Sequence, residues 1–225
     1  MAELKGILKI TGKLSGLSFY EMNGKIIVRT PGGFDGEKIR NDAKYVNVRN
    51  NAAEFGRCSK FGGRLRRALQ PFLKDLNDPQ IHGRMAKMLH QVMKHDMQSE
   101  KGRRSVLRGL QEAEGRAELA GFVWNLREGK SYSYDFEKRR LYFDHIPAGS
   151  AKAEVTLRLI RPDEREGPLD YLEAVFEVAL PCAEFSIPEH ASFTDVEESM
   201  LKFALIRFYD AEGELLRGKT AVVVG

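Results

Sequence analysis

The sequence predicts an α+β protein with an N-terminal β-hairpin, a basic helical middle and a C-terminal antiparallel β-sandwich. Three observations support this fold class. An Asn-Gly pair lies between two β-prone runs, the middle has apolar residues at helical spacing, and the C-terminal part alternates apolar and polar residues between turns. We therefore divide the chain into a hairpin arm (1–35), a helical module (36–119) and a sandwich domain (120–225).

The hairpin arm is predicted from the turn at Asn23-Gly24, which separates the β-prone runs 17–20 and 26–28. Both turn residues tolerate the positive φ angles that a type I′ turn requires. Pro31 and the glycines around it then interrupt the chain before the helical module begins.

The helical module has an apolar stripe in 65–76 that follows the i, i+3, i+4, i+7 spacing of a buried helix face. This stripe includes Leu65, Leu69, Phe72 and Leu76. Pro71 lies inside the pattern and is expected to kink or restart the helix. Asp78 is the expected N-cap of the next helix, so 64–97 is predicted to form an αα-hairpin.

The second helix of this hairpin is rich in methionine. Met85 and Met88 share its apolar stripe and are expected in the core. Met93 and Met97 fit that stripe less well, so we expect them to be available to a partner, as in adaptable methionine-rich surfaces.

Seven segments of the C-terminal part are candidate strands, namely 122–126, 131–136, 140–146, 153–160, 171–180, 200–210 and 214–225. Turn and loop residues separate them. About seven strands in roughly a hundred residues favour an antiparallel sandwich, of which an immunoglobulin-like architecture is one form. The Cys…Trp…Cys pattern of true immunoglobulin domains is absent from the sequence.

The formal net charge of +4 conceals a strong separation of charge along the chain. Residues 57–108 have 13 Lys/Arg and 4 Asp/Glu, whereas residues 132–225 have 11 and 18. This asymmetry indicates an anionic partner for the basic part, or attraction between the two parts within one molecule or between neighbours. The candidate contact residues are Arg57, Lys60, Arg64, Arg66, Arg67, Arg84, Lys87, Lys94, Arg103 and Arg104.

The motifs of nucleotide-binding, hydrolytic and metal-dependent enzymes are absent, so we expect no cofactor, no metal and no catalytic residue. His90 and His95 are five residues apart, which places them about 140° apart around a helix and prevents them from facing one ion. Cys58 has basic neighbours and no adjacent histidine, so we expect a buried thiol and not a nucleophile.

The start of the sequence, MAELKGILKI, lacks the pattern of a secretory signal. No stretch approaches the roughly 18 apolar residues of a membrane span. The two cysteines lie far apart and do not make a disulfide framework. We therefore expect a cytoplasmic protein without a membrane partner.

Two stretches, GILKITGKLSGLSFYEMNGKIIVR and NDAKYVNVRNNAAEFGRCSKFGGRLRRAL, resemble the first part of a family of bacterial proteins with no assigned activity. Proteins of this family open with a similar Gly-rich hairpin that ends in Arg, continue with a helix of similar Asn/Arg/Phe/Gly pattern, and end in strands. The resemblance covers roughly residues 6–70. It implies a modular protein, and it implies no catalytic residue, cofactor or substrate.

These observations lead to three hypotheses. The first is a non-enzymatic binding or assembly protein, which associates with itself or docks on an acidic protein surface through its basic helices, while the hairpin at 4–30 adds a strand to a neighbouring sheet. The second is a nucleic-acid-binding protein that contacts phosphates with the same helices. The third is an enzyme whose site assembles from distant residues. No small-molecule ligand is indicated.

Overall fold

The computed structural model of the protein describes residues 2–4, 10–30, 36–126, 132–135, 138–188 and 199–224. It confirms the α+β class, because helices occur together with antiparallel sheets. The chain forms two compact units, Met1–Arg49 and Asn50–Gly225. The predicted boundaries after residues 35 and 119 separate modules that are expected to fold independently. These boundaries stay a prediction.

The first unit contains a four-stranded sheet in the order β1-β4-β3-β2. Its strands are β1 (Ala2–Leu4), β2 (Gly12–Leu14), β3 (Leu17–Met22) and β4 (Lys25–Arg29). The predicted turn between β3 and β4 is confirmed, since Asn23 has a φ of +53° and Gly24 a φ of +76°. Helix α1 (Gly36–Asn41) follows, and then a short 3-10 helix (Ala43–Tyr45) that is capped by Asp42.

Five further helices are α2 (Val46–Ala68), α3 (Phe72–Asp75), α4 (Ile81–Lys94), α5 (Val106–Gly109) and α6 (Ala113–Ala120). The predicted restart at Pro71 is confirmed, because α2 ends at Ala68 and α3 begins at Phe72. Leu65, Leu69, Phe72 and Leu76 of the predicted apolar stripe are all buried. Within the described residues, every helix is too short or too polar to cross a bilayer.

Two details of the helical prediction were wrong. Asp78 is not the N-cap of α4, because that helix begins at Ile81 and Gln80 occupies the cap position. The Asp78 carboxylate instead accepts hydrogen bonds from the Gln80 N–H, at 2.8 Å, and from the Arg84 guanidinium. Met93 is fully buried beside the α4 stripe, so of the two methionines expected to be available only Met97 is exposed.

The second unit contains two antiparallel sheets. A four-stranded sheet has the order β11-β10-β7-β8, and a three-stranded sheet has the order β5-β6-β9. The strands are β5 (Tyr132–Asp135), β6 (Arg140–Phe143), β7 (Lys152–Ile160), β8 (Tyr171–Ala179), β9 (Glu184–Ser186), β10 (Leu201–Tyr209) and β11 (Ala221–Val224). Segment 122–126 was wrongly predicted as a strand, because its backbone makes no ladder and its Trp124 is buried in a loop. Strand β9 lies where a loop was expected.

The four-stranded sheet contributes to hydrophobic clusters on both of its faces. Side chains alternate along β10, so Phe203 and Phe208 point to opposite faces. Phe203 belongs to a cluster with Leu65 of α2 and Leu89 of α4, whereas Phe208 belongs to a cluster with Phe143 of β6. Helices and strands of the second unit therefore share one core, and this core fixes where α2 lies.

Polar contacts also join the helices to this sheet. The Phe72 ring of α3 contacts the guanidinium groups of Arg158 and Arg207, whose central carbons are 5.4 and 4.1 Å from its centroid. Arg207 also donates to the Asp75 carboxylate at 2.9 Å. Because these contacts lie beside the buried stripe, α3 is held by both cation–π and charged hydrogen-bond interactions.

The short helices approach each other closely at two glycines. A Cβ atom placed on Gly109 would lie 2.1 Å from the Val92 carbonyl oxygen, and one on Gly115 would lie 1.9 Å from the Gly109 carbonyl oxygen. Such distances are far below van der Waals contact, so the packing of α4, α5 and α6 requires glycine at both positions.

Candidate functional site

Four of the predicted contact residues form a basic stripe along α2. Arg57, Lys60, Arg64 and Arg67 follow one another at intervals of three, four and three residues, which places them within about 80° of the helix circumference. The buried stripe of the same helix is displaced from the basic stripe by one residue. The basic stripe therefore runs beside the core side of α2, and its direction is fixed by the packing of that helix.

Residues 98–108 form a second wall that faces this stripe, and a buried carboxylate holds it in place. The Glu54 side chain of α2 accepts the Gly102 N–H at 2.7 Å and two hydrogen bonds from Arg104, each at 2.9 Å. The hydrogen bonds from Arg104 lower the pKa of Glu54, and they outweigh the opposing effect of burial. Glu54 is therefore ionised at neutral pH and acts as a structural anchor.

Asp96 is a second buried anchor of the same wall. Its carboxylate accepts backbone N–H groups of Gln98, Ser99 and Ser105 at 3.2, 3.0 and 3.0 Å. Burial by itself would raise the pKa of Asp96, but the hydrogen bonds from Ser105, Ser99 and Gln98 reverse the shift and lower it. The backbone from 98 to 105 is thus fixed from inside, before any ligand is present.

Arg57 links the basic stripe to the second wall. Its Nε–H donates to the Arg104 carbonyl oxygen at 3.1 Å, and its Nη2 donates to the Gly102 carbonyl oxygen. Gly102 has a φ of +94°, and a Cβ there would lie 2.5 Å from the Asn50 Oδ1 atom. Only glycine fits this position, so the approach of the wall to α2 depends on it.

The loop between β7 and β8 forms the third side. Arg64 donates to the Asp163 and Gly167 carbonyl oxygens, both at 2.7 Å, and also to the Asp163 carboxylate. Arg165 holds the same carboxylate from the other side. Burial would raise the pKa of Asp163, but hydrogen bonds from Arg64 and Arg165 lower it. This loop is therefore fastened to α2 through ionised groups.

These three sides enclose an open groove of about 1100 Å³. Seven Lys/Arg and four Asp/Glu side chains line it, namely Arg57, Lys60, Arg64, Arg67, Arg103, Arg108, Arg165, Glu100, Asp163, Glu164 and Glu166. Arg67 and Arg103 have no ion pair with any carboxylate in the part of the chain that the structure describes. Lys60 lies 3.9 Å from Glu166, but both side chains are largely exposed and solvent screens the pair. The groove therefore has an excess of positive charge, and the part of it at Arg67 and Arg103 is not neutralised by the described residues.

The structure brings together half of the predicted contact residues and separates the others. Arg57, Lys60, Arg64, Arg67 and Arg103 line the groove. Those outside it are Arg66, Arg84, Lys87, Lys94 and Arg104, of which Arg84 and Lys87 line a different open pocket.

Two of the residues outside the groove hold structure together. The Arg104 guanidinium is paired with the Glu54 carboxylate. Arg84 donates to the Asp78 carboxylate at 2.6 Å and to the Val123 and Trp124 carbonyl oxygens at 2.5 and 3.0 Å. Their charges are paired within the fold, so these two side chains are poor candidates for contact with a partner.

The sequence prediction missed Arg165 and the acidic residues of its loop as parts of the site. Asp163 lies 99 residues from Arg64 in the chain, and no local pattern connects them. The spacing of the α2 stripe, in contrast, is readable from the sequence by its three-and-four periodicity.

The described residues contain no group of three or more His, Cys, Asp or Glu side chains arranged to hold a metal ion. His95 lies in the second pocket, where its Nε2 is 3.8 Å from Glu118 Oε1. Comparison of the chain with protein-family models and with curated proteins gives no match. The groove is therefore interpreted from its own chemistry.

Proposed function

We propose that this protein is a non-enzymatic binding protein that docks an acidic surface of a partner protein in the groove. The observation that carries the proposal is the convergence of cations from α2 and from 98–108 on one open surface, with Arg67 and Arg103 lacking an ion-pair partner among the described residues. Converging cations of this kind attract an anionic partner and orient it during encounter.

The acidic rim favours a protein over a nucleic acid. Glu164 and Glu166 line the groove, and the Glu166 side chain is 97% exposed. A phosphate backbone has uniform negative charge and would be repelled by these carboxylates. A protein surface can place acidic residues against the cationic walls and basic residues against this rim, which also fixes its orientation.

The rest of the second unit acts as a rigid support in this proposal. The two buried anchors fix the second wall, and Arg64 fixes the rim, so little ordering is required on binding. The predicted antiparallel sandwich, with an immunoglobulin-like architecture as one form of it, would supply the scaffold. A hydrophobic cluster with side chains from both sheets supports that arrangement.

The proposal is tested by fluorescence anisotropy with three labelled probes: a poly-glutamate peptide, a single-stranded DNA and a duplex DNA of matched formal charge. We expect the peptide to bind, with a dissociation constant that rises with salt because the contacts are electrostatic. The double variant Arg67→Glu/Arg103→Glu should weaken peptide binding by about tenfold or more, which corresponds to about 1.4 kcal/mol.

The matched control is Lys94→Glu/Arg116→Glu, which makes the same change in net charge at exposed residues outside the groove. Its peptide affinity should stay within about threefold of the native value, because screening limits charge effects at a distance. Equal weakening by both double variants would refute a groove-specific site. Tighter binding of either DNA than of the peptide would identify a nucleic acid, and not an acidic protein, as the partner. Absence of binding of all three probes would refute the proposal.

A further inference from the structure

Strand β8 lies at the edge of the four-stranded sheet. Strand β7 pairs with one side of it, and no described strand pairs with the other. Edge strands of soluble proteins are commonly protected by short length, proline, lysine or a bulge. Strand β8 is nine residues long, reads YLEAVFEVA and pairs with β7 without interruption, so its only protection of this kind is the charge of Glu173 and Glu177.

The backbone of β8 presents a row of hydrogen-bonding groups on its free side. Arg161 N–H donates to the Asp170 carbonyl at 2.9 Å, and Leu180 N–H donates to the Ala151 carbonyl at 3.0 Å. The even-numbered residues from 170 to 180 therefore bond toward β7. By the alternation of an antiparallel ladder, the odd-numbered residues point their N–H and C=O groups away from it. Those residues are Tyr171, Glu173, Val175, Glu177 and Ala179.

Three apolar side chains of this edge are exposed, together with those of Glu173 and Glu177. Tyr171, Leu172 and Val175 are 44%, 50% and 54% exposed. Tyr171 and Val175 lie on one face of the sheet and Leu172 on the other, because successive side chains alternate. An exposed edge with apolar side chains on both faces indicates a surface that another strand covers.

We propose that β8 pairs in antiparallel fashion with β8 of a second copy of this chain, about a two-fold axis at Ala174. The two four-stranded sheets would then form one continuous sheet of eight strands. Such a contact is isologous, since the same strand supplies both sides of the interface, and it closes at a dimer.

The sequence of β8 selects this axis. With the axis at Ala174, Tyr171 lies opposite Glu177 of the second copy, Leu172 opposite Phe176, and Glu173 opposite Val175. All three exposed apolar residues are then paired, and no two like charges face each other.

The neighbouring axes are less favourable. An axis at Val175 places Glu173 opposite Glu177, and an axis at Glu173 places that carboxylate opposite its own copy. An axis at Phe176 leaves Tyr171 and Leu172 outside the paired region. Axes between two residues would set outward groups against inward groups, which an antiparallel ladder does not allow.

The first test compares Val175→Glu with Val175→Lys by sedimentation velocity of the full chain over a series of concentrations. Both variants remove the same apolar side chain, but glutamate would face Glu173 of the second copy twice per dimer, whereas lysine would form two ion pairs. We expect Val175→Glu to raise the dimer dissociation constant at least about tenfold above that of Val175→Lys. A native chain that is monomeric at about 100 μM, or equal weakening by both variants, would overturn the proposal.

The second test uses a cysteine at the axis. In a Cys182→Ser background, Ala174→Cys places two thiols opposite each other at a non-hydrogen-bonded pair, where Cα atoms are about 4.5 Å apart and a disulfide can form. We expect a covalent dimer under mild oxidation, and none from the control Ala179→Cys, which lies outside the paired region. Absence of the cross-link at 174, or equal cross-linking at 179, would overturn this axis.

Dimer formation and groove binding are independent in these experiments. The variant Arg67→Glu/Arg103→Glu alters the groove and leaves β8 unchanged, so its dimer dissociation constant should equal that of the native chain. Failure of one proposal therefore leaves the other open to its own test.

Discussion

Arg104 and Glu54 form a two-pronged ion pair in which Nε donates to Oε1 and Nη2 donates to Oε2, each at 2.9 Å. The two residues are 50 positions apart, and the pair ties α2 to the wall of the groove. The Glu54 side chain is only 4% exposed, whereas that of Arg104 is 25% exposed. The pair therefore lies at the border between core and solvent, where a charged hydrogen bond is stronger than at the open surface.

Replacement Glu54→Gln is expected to lower the free energy of unfolding by about 2 kcal/mol, because it removes the charge that holds Arg104 and the Gly102 N–H. Urea unfolding followed by circular dichroism measures the change. Glu114→Gln, at an exposed position of α6, is the control and should change stability by less than about 0.5 kcal/mol. Equal effects of the two replacements would contradict the role assigned to Glu54.

Stability should fall in acid through three carboxyl groups of the groove walls. Glu54, with an ordinary pKa of 4.5, and Asp96 and Asp163, with ordinary pKa values of 3.8, all have lowered pKa values in the folded chain. The unfolded chain binds these protons first as pH falls, so their contribution is complete above their ordinary pKa values and is lost below them.

Thermal melts between about pH 3 and pH 7 test this expectation. The melting temperature of the native chain should decrease as the pH is lowered below about 4.5. The difference in melting temperature between the native chain and Glu54→Gln should shrink over the same range, because protonation of Glu54 removes the negative charge that the variant already lacks. An advantage that stays constant down to about pH 3 would show that Glu54 keeps an ordinary pKa.

Glycine replacements should separate close packing from helix propensity. Gly115→Ala is expected to destabilise the protein by about 2 kcal/mol or more, because its Cβ would meet the Gly109 carbonyl. Gly56→Ala, in the interior of α2 where the added Cβ would meet open space, should stabilise it by about 0.5 to 1 kcal/mol. The two changes in stability, measured from the midpoints of urea unfolding, should have opposite signs. Equal signs would contradict the distinction between the close-packed and the open glycine.

The two thiols should differ in reactivity. Burial raises the pKa of Cys58 to about 11, whereas Cys182 is only half-buried. At pH 8 the Cys58 thiolate is therefore about one part in a thousand, and access is blocked as well. Ellman's reagent should modify one thiol quickly in the native chain and two in denaturant, and Cys182→Ser should remove the fast reaction. A fast reaction that persists in that variant would contradict the burial of Cys58.

Local signals predicted much of the fold. The Asn23-Gly24 turn, the buried stripe from Leu65 to Leu76 and the restart at Pro71 each follow from conformational preferences within a few residues. Segment 122–126 was wrongly predicted for the same reason, because its short run of aromatic and β-branched residues resembles that of a strand. In the folded chain those residues form a loop, which the hydrogen bonds from Arg84 to the Val123 and Trp124 carbonyl groups hold in place.

The groove was less accessible to prediction from the sequence. Its basic stripe on α2 has a helical period, but its rim comes from a loop about a hundred residues later. A sequence also gives no sign of whether an arginine is free or already used within the fold. Arg67 and Arg104 are alike in the sequence, and only the buried carboxylate beside Arg104 distinguishes them.

The hairpin loop from Arg161 to Asp170 is closed at its neck by the Arg161 N–H bond to the Asp170 carbonyl, and Arg165 bridges Asp163 to Asp170 across it. One side of this loop borders the groove, and its C-terminal end leads directly into Tyr171, the first residue of β8. A substitution at Asp163 or Arg165 would loosen both places together. Neither residue can serve as a neutral marker in an assay of either surface, and mutagenesis that aims to separate them should begin elsewhere.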